Sequence, residues 1–281
     1  MRRPIFILCC CTLLMLTART ADAWFGPGGR LTSTLLAGQT IDAGRVELYN
    51  TKGSFNVEAT TRDGWRIKEI QIFVGDSTVQ IPMTKDGNPI PGKFPFKAAY
   101  AAPVPSHVQV IDFEKLGFAW GSPYETKRLQ NVAVHADLVQ LDAAGQVIAE
   151  EGAWAFNEAY YEPFPGDQWG WYVAYTMAKP MKGHLWDSPV EGVNYVSGVG
   201  AGVTDASGGF EYFPEEKVAF FVGNLSLGTV VADHRVTPLD FFEGVDLNEN
   251  GSHMNADGED QSTLDSNPAI NVARLLQSLD E

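Results

Sequence analysis

The feature that most limits the possible folds is a succession of short β-rich segments, each followed by residues that favour a turn. Stretches such as NTKG, RDGW and KDGNPIPG supply the turns. Short strands at this spacing predict an antiparallel β-sandwich, and no helical pattern appears before residue 180. In RIKEIQIFV, strict alternation would place Ile67 on the same face as Glu69, Gln71 and Phe73. The segments are RVELYN, SFNVEATT, RIKEIQIFVG, SHVQVIDF, NVAVHADLVQL and QVIAEEGAWAF.

A second group of strands follows a seam at residues 177–184, and in it GVTDASGGFEY predicts a hairpin with its turn at residues 205–208. SNPAINVARLLQSLDE predicts one short C-terminal helix with Ser266 or Asn267 as its cap. Its apolar stripe is Val272, Leu275, Leu276 and Leu279. We therefore expect an all-β protein with two antiparallel β-sandwich modules in tandem, at residues 24–178 and 183–281, and one short C-terminal helix.

The N-terminus has the pattern of a secretory signal peptide. Two arginines precede an apolar run of 13 residues, Ile5 to Thr17, and Ala21-Asp22-Ala23 predicts cleavage before Trp24. The alternative is an anchor that is never cut. Cleavage of residues 1–23 removes all three cysteines, which excludes disulfides and a Cys nucleophile from the mature chain. We expect a secreted or cell-surface protein with no membrane insertion after cleavage, because no second apolar run approaches membrane length.

The charge balance limits the possible partners. The formal net charge is −15, and removal of the signal with its three Arg and one Asp leaves 17 basic and 34 acidic residues. Nucleic acids and anionic membranes bind positively charged surfaces, so neither is an expected partner. An extracellular glycan or a surface protein is the expected partner, and the acidic balance suits a divalent cation.

The most unusual segment is WAFNEAYYEPFPGDQWGWYVAY, which holds nine aromatic side chains in 22 residues. Trp169, Trp171, Val173 and Tyr175 alternate on one strand face, and Trp154 and Phe156 alternate with alanines, which predicts a packed core. The aromatics of the intervening loop are less well explained by a core. They form the candidate contact patch for a ligand: Tyr160, Tyr161 and Phe164.

An acidic loop near the C-terminus is the candidate metal site. It places side-chain oxygens at alternate positions followed by a glycine, as the first half of a calcium loop does. The predicted ligands of a calcium ion are Asp246, Asn248, Asn250 and Asp257. The alternative is a solvated acidic loop, because Asp257 replaces the usual Glu, His253 replaces an apolar residue, and no flanking helices of the EF-hand kind are predicted.

No residue is assigned a catalytic role. A glycosidase would need two carboxylates across a cleft, and the possible sources are Glu150, Glu151, Glu158, Glu162 and Asp167. The five histidines are scattered, and His135 in AVHADL is expected to be a hydrogen-bonded histidine of the core or a sheet edge.

Two parts of the chain resemble known modules. The part from Thr34 to Tyr175, with LLAGQTIDAGRVELYN, NVAVHADLV, EEGAWAF and WGWYVAY, resembles an extracellular β-sandwich module of large bacterial and archaeal surface proteins. In that family the strand with the histidine reads AAHA and the aromatic strand reads ETAWA. The corresponding motifs in this sequence are AVHA and EGAWA. The part from Gly183 to Glu281, with WDSPVEGVNY and GVTDASGGFEYF, is similar to carboxypeptidase regulatory-like, prealbumin-type modules of exported proteins in Gram-negative bacteria.

Such modules seldom catalyse reactions, so the resemblance implies a non-catalytic surface, adhesion or matrix component. The alternatives are a carbohydrate-binding module, assisted by calcium, and a secreted glycoside hydrolase. Fold-level similarity alone does not decide among them.

Overall fold

The computed structural model describes residues 27–186, 189–241 and 268–278. Antiparallel strands dominate the described chain, and its one α-helix is α1 (Pro268–Gln277), so the all-β prediction and the C-terminal helix are confirmed. The strands are β1 (Leu31–Ala37), β2 (Ile41–Asn50), β3 (Ser54–Thr61), β4 (Trp65–Gly75), β5 (Phe96–Val104), β6 (Ser106–Asp112), β7 (Lys127–Leu141), β8 (Val147–Phe156), β9 (Tyr161–Pro163), β10 (Trp171–Ala178), β11 (Met181–Leu185), β12 (Asn194–Val196), β13 (Ala201–Val203), β14 (Gly209–Tyr212), β15 (Lys217–Val222), β16 (Leu225–Val231) and β17 (Arg235–Val236).

The first ten strands form one antiparallel sheet. Its order is β5-β4-β7-β8-β1-β2-β3-β6, and β10 pairs with both β7 and β9. Strands that are distant in this order share one core, because Phe55 of β3 packs edge-on against Tyr175 of β10 with ring centroids 5.2 Å apart. The sheet therefore folds over on itself around a core that includes Leu48, Ile72 and Val132.

A β-bulge in β4 changes the predicted assignment of faces. The pairing of β4 with β7 and with β5 shifts between Ile67 and Glu69, so Lys68 is the extra residue. Ile67 is therefore fully buried in the core together with Ile70 and Ile72. The expectation that Ile67 shares a face with Glu69 is wrong, because strict alternation holds only in the absence of a bulge.

The strands from β11 to β17 form two smaller sheets, ordered β14-β11-β17 and β13-β12-β15-β16. The β11–β17 pair is parallel, while the other pairs of these sheets are antiparallel. A second core joins them, with Phe210 and Phe220 in edge-on contact at 5.1 Å. Helix α1 contributes Leu276, which is completely buried, and Val272 and Leu275 pack partly against the same core.

The predicted turn at residues 205–208 forms, but it does not close a hairpin. Gly208 N–H donates to the carbonyl oxygen of Asp205 at 2.7 Å, as in a tight turn. However, β13 pairs with β12 and β14 pairs with β11, so the flanking strands belong to different sheets. The turn leads the chain from one sheet to the other. Hydrogen bonds to its carboxylate lower the pKa of Asp205 to about 2, and the bond from the Ser207 hydroxyl is the largest cause.

The seam predicted near residue 180 coincides with the change of sheet. Only Lys179 and Pro180 separate β10 from β11, and no sheet of the described residues contains strands from both sides. Ion pairs connect the two sides, with Lys127 Nζ 2.5 Å from Glu215 Oε1 and Lys52 paired with Glu211. The division into two sandwich modules stays a prediction.

The signal sequence at residues 1–23 and the calcium ligands Asp246, Asn248, Asn250 and Asp257 lie outside the described residues. Within the part of the chain that is described, no helix has the length and apolar character needed to cross a membrane.

Candidate functional site

The three aromatics of the predicted contact patch lie in three different environments. Tyr160 and Tyr161 are 46% and 39% exposed, whereas Phe164 is only 5% exposed. Tyr161 contacts Phe156 and Trp171, while Tyr160 lines a separate groove. The patch therefore does not exist as one surface, and its two tyrosines belong to different candidate sites.

Phe164 is not part of any exposed patch, which corrects the expectation based on its loop position. Its ring lies 5.3 Å from that of Trp154 and 5.6 Å from that of Tyr172. It belongs to a separate small core that also contains Phe73 and Phe94. The segment after β9 folds back onto the sheet and covers it, so a loop aromatic becomes a core residue.

A row of partly exposed aromatic rings, which we call the aromatic ridge, is formed by Phe156, Tyr161, Trp169 and Trp171. Phe156 lies 4.7 Å from Tyr161 and 5.0 Å from Trp171, measured between ring centroids. Trp169 lies 5.6 Å from Trp171 with the rings edge-on. Tyr161 is exposed and the other three are half-buried. Because each ring contacts a neighbour, the ridge offers a fixed apolar surface.

Local backbone geometry places the ridge. β9 pairs with β10, with Tyr161 opposite Val173 and Pro163 opposite Trp171. Gly170 precedes Trp171 with φ +155°, and a Cβ atom there would lie 2.7 Å from the indole of Trp154. A glycine is needed at this point for the backbone to pass over the buried tryptophan.

Tyr160 lines an apolar groove of about 340 Å³ together with Leu31, Leu129, Ala174 and Thr176. Its backbone is fixed, because Ala174 N–H donates to the carbonyl oxygen of Tyr160 at 2.9 Å. Leu129 is 52% exposed and forms part of the wall. The groove is of the size that small ligands occupy, although its lining offers little polar recognition.

The five predicted carboxylates do not converge. Glu150 and Glu151 line a groove of about 410 Å³, the acidic groove, which also contains Glu69 and Asp137 from β4 and β7. Glu158, Glu162 and Asp167 are exposed in the segment that follows β8. Burial raises the pKa of Tyr172, and the nearby charge of Glu162 adds to this effect.

The acidic groove contains two residues that sequence reasoning missed. Glu69 and Asp137 are direct cross-strand partners, an arrangement of like charges that destabilises a sheet. Lys68, the bulged residue, lies 3.5 Å from Glu150 and offsets part of this charge. The pairing of β4 with β7 brings these residues together, and no local sequence pattern indicates it.

His135 is hydrogen-bonded, as predicted. Its Nδ1 lies 2.7 Å from Gln71 Oε1, and its ring packs edge-on against Trp154 at 4.7 Å. Burial lowers the pKa of His135, while the charges of Asp137 and Glu69 act in the opposite direction. In the described ranges no group of three or more His, Cys, Asp or Glu residues could hold a metal ion.

The chain matches no protein-family model, and neither a curated protein nor a solved structure shows significant similarity to it.

Proposed function

We propose that this chain is a non-catalytic component of an extracellular surface or matrix, and that it binds glycans through the aromatic ridge. The observation that carries the proposal is the mutual contact of Phe156, Tyr161, Trp169 and Trp171, which leaves them partly open to solvent. Rigid aromatic side chains supply a large contact area at low entropic cost. The apolar faces of sugar rings stack on such surfaces.

Four further observations support the proposal. The N-terminal sequence favours export, and the acidic charge disfavours nucleic acids and anionic membranes. Tyr160 is exposed and lines the neighbouring groove, where it provides a second apolar surface. The resemblance of both halves to extracellular modules points to the same class of function. Calcium assistance through Asp246, Asn248, Asn250 and Asp257 belongs to the proposal and is tested with it.

A secreted glycoside hydrolase is the second candidate, and the acidic groove is the observation that favours it. Glu69, Asp137 and Glu150 are the carboxylates that such a reaction would use. Loss of turnover in both Glu69→Gln and Glu150→Gln, with the fold intact, would establish this candidate in place of the first.

The decisive experiment is a glycan array with the mature chain, Trp24 to Glu281, in the presence of calcium and after its removal. We expect a specific set of glycans to bind. Tyr161→Ala should weaken binding by roughly tenfold, the loss typical of an aromatic at the centre of an interface. Tyr124→Ala is the matched control, because Tyr124 is 92% exposed and lies outside the ridge.

Each outcome has a distinct meaning. Loss of binding in Tyr161→Ala but not in Tyr160→Ala places the glycan-binding site at the ridge. The reverse result places it at the groove. A blank array under both conditions contradicts glycan binding and leaves a purely structural role at the cell surface. Equal binding with and without calcium removes calcium from the proposal.

A further inference from the structure

A small polar pocket lies where β4 ends and β7 begins, and it shares no residue with the aromatic ridge or with either groove. Its volume is about 150 Å³. Its polar lining comes from Asp76, Gln80, Arg128 and Gln130, and Phe118 supplies an aromatic wall. We call it the Arg128 pocket.

Arg128 is held in place by its neighbours. Its Nε and Nη2 atoms donate to the two carboxylate oxygens of Glu125 at 2.5 and 2.6 Å, and its guanidinium stacks over Phe118 at 4.8 Å. Across the described residues, its remaining nitrogen Nη1 has no hydrogen-bond partner. Arg128 therefore offers a fixed donor, and little side-chain entropy is lost when a ligand accepts from it.

Gln130 supplies an unpaired acceptor in the same pocket. The residue is only 3% exposed, and its Nε2 donates to the carbonyl oxygen of Leu129 at 3.0 Å. Its Oε1 receives no hydrogen bond from any residue that the structure describes. Because Gln130 lines the pocket, this oxygen can accept a hydrogen bond from a ligand or a water molecule that enters it.

Gln80 is an exposed residue that lines the pocket beside the end of β4. It ends the turn at Thr78–Gln80, which begins with Ser77 accepting the Val79 N–H at 3.4 Å. A Cβ atom at Gly75 would lie 2.6 Å from Gln80 Oε1, so the carboxamide folds across the end of β4 because residue 75 has no side chain.

The charges disfavour an anion. Arg128 is neutralised by its fork to Glu125, and Asp76 adds a further negative charge whose field raises the pKa of Arg128, although the Glu125 hydrogen bonds are the larger cause. What remains is a set of donors and acceptors beside an aromatic ring. Hydroxyl groups match such a set, since each one both donates and accepts.

We propose that the Arg128 pocket binds one neutral sugar residue, a hexopyranose such as the end unit of a glycan. Its hydroxyls donate to Gln130 Oε1 and Asp76, and they accept from Arg128 Nη1 and from the carboxamide of Gln80. This site is independent of the aromatic ridge, so either can exist without the other.

The test is a titration of the ¹⁵N-labelled mature chain with D-glucose, D-galactose and D-mannose, followed by NMR of the backbone amides. We expect saturable shifts at Gly75 and Gly117, which line the pocket, with a Kd on the order of 1 mM for a ligand of about a dozen heavy atoms. Gln80→Ala should weaken binding about three- to tenfold through the lost hydrogen bond. Gln146→Ala, at an exposed glutamine of the β7–β8 turn, should not.

Four results would overturn the proposal. One is the absence of sugar-dependent shifts at Gly75 and Gly117, and another is equal affinity in Gln80→Ala. The third is a response to sodium acetate or phosphate but to no sugar, which would make the pocket an anion site. Shifts confined to the indole N–H groups of Trp169 and Trp171 would also contradict it while supporting the ridge, so the two proposals fail separately.

Discussion

The hydroxyl of Tyr175 accepts the backbone N–H of Asn50 at 3.1 Å and donates to the carbonyl oxygen of Gly29 at 2.9 Å. The side chain of Asn50 in turn accepts from the N–H of Ala178 at 3.0 Å and donates to its carbonyl oxygen at 2.9 Å. Both side chains are buried. These bonds join the segment before β1, the end of β2 and the end of β10 at one point of the folded sheet.

We expect Tyr175→Phe to lower the free energy of unfolding by about 1–3 kcal/mol, because the N–H of Asn50 and the carbonyl of Gly29 lose their partner in a buried place. Asn50→Ala should cost more, since it removes three bonds: the two to Ala178 and the one from Asn50 Nδ2 to the carbonyl oxygen of Thr51. Chemical denaturation measures both changes. Tyr124→Phe, at a tyrosine that is 92% exposed, is the control and should change nothing. A Tyr175→Phe variant as stable as the parent would show that this network contributes little.

The buried carboxylate of Glu216 should make stability depend on pH. Glu216 is 1% exposed, and it accepts the N–H of Phe213 at 2.7 Å and that of Gly198. Burial raises its pKa from 4.5 to about 7, although the Phe213 bond acts in the opposite direction. The native state thus binds the proton more tightly, so the free energy of unfolding should fall as the pH rises from about 4.5 to about 7, by up to about 3 kcal/mol.

Urea denaturation across this range measures the effect. Glu216→Gln cannot ionise and should remove this part of the slope. Glu114→Gln changes an exposed glutamate and should keep the slope of the parent. A parent slope that survives in Glu216→Gln would place the responsible group elsewhere.

The pH dependence of stability that His107 contributes should have the opposite sign to that of Glu216. It is 7% exposed, its Nδ1 lies 2.6 Å from the hydroxyl of Tyr100, and no described group hydrogen-bonds its buried Nε2. Burial lowers its pKa below the usual 6.5. The contribution of His107 to the free energy of unfolding is therefore complete above about pH 6.5. It is lost as the pH falls through the lowered pKa of the folded state.

An NMR titration of the His107 ring should give a midpoint below about 6.5, and the midpoint should be the same in Glu216→Gln. A midpoint at or above that value would show that an acceptor reaches Nε2 in solution.

Sequence reasoning recovered the strands whose own residues favour extended backbone. SFNVEATT became β3, and NVAVHADLVQL lies within β7. It missed β5, FKAAYAAPV, because four alanines give it little strand propensity and its pairing with β4 decides its structure. It also missed β1, LTSTLLA, which lies between β2 and β8 in the sheet.

Candidate site residues were harder to predict, because they depend on which strands meet. Alternation indicated that Phe156 and Trp171 are packed. The chain returns through β9, which places Tyr161 beside them and leaves both residues half-buried. Arg128 and Gln130 gave no local signal, since their pocket needs the end of β4 as its other wall.

Two turns of nearly the same sequence, DAAG at residues 142–145 and DASG at residues 205–208, allow a matched test of tertiary packing. In the first, Gly145 N–H donates to the carbonyl of Asp142 at 3.0 Å, and in the second, Gly208 N–H donates to that of Asp205 at 2.7 Å. The two glycines have φ of +78° and +74°. A Cβ atom at Gly145 would meet nothing within 4 Å, whereas one at Gly208 would collide with the carbonyl oxygen of Leu185.

Gly145→Ala should therefore lower the free energy of unfolding by only about 1–2 kcal/mol, the cost of a left-handed backbone for a residue with a Cβ. Gly208→Ala should lose roughly 1–3 kcal/mol more, because the backbone of β11 must also move. Thermal or chemical denaturation of the two variants gives the difference directly. Equal losses would mean that the turn at residues 205–208 is not packed against β11 in solution, and the passage of the chain between its two C-terminal sheets would need another explanation.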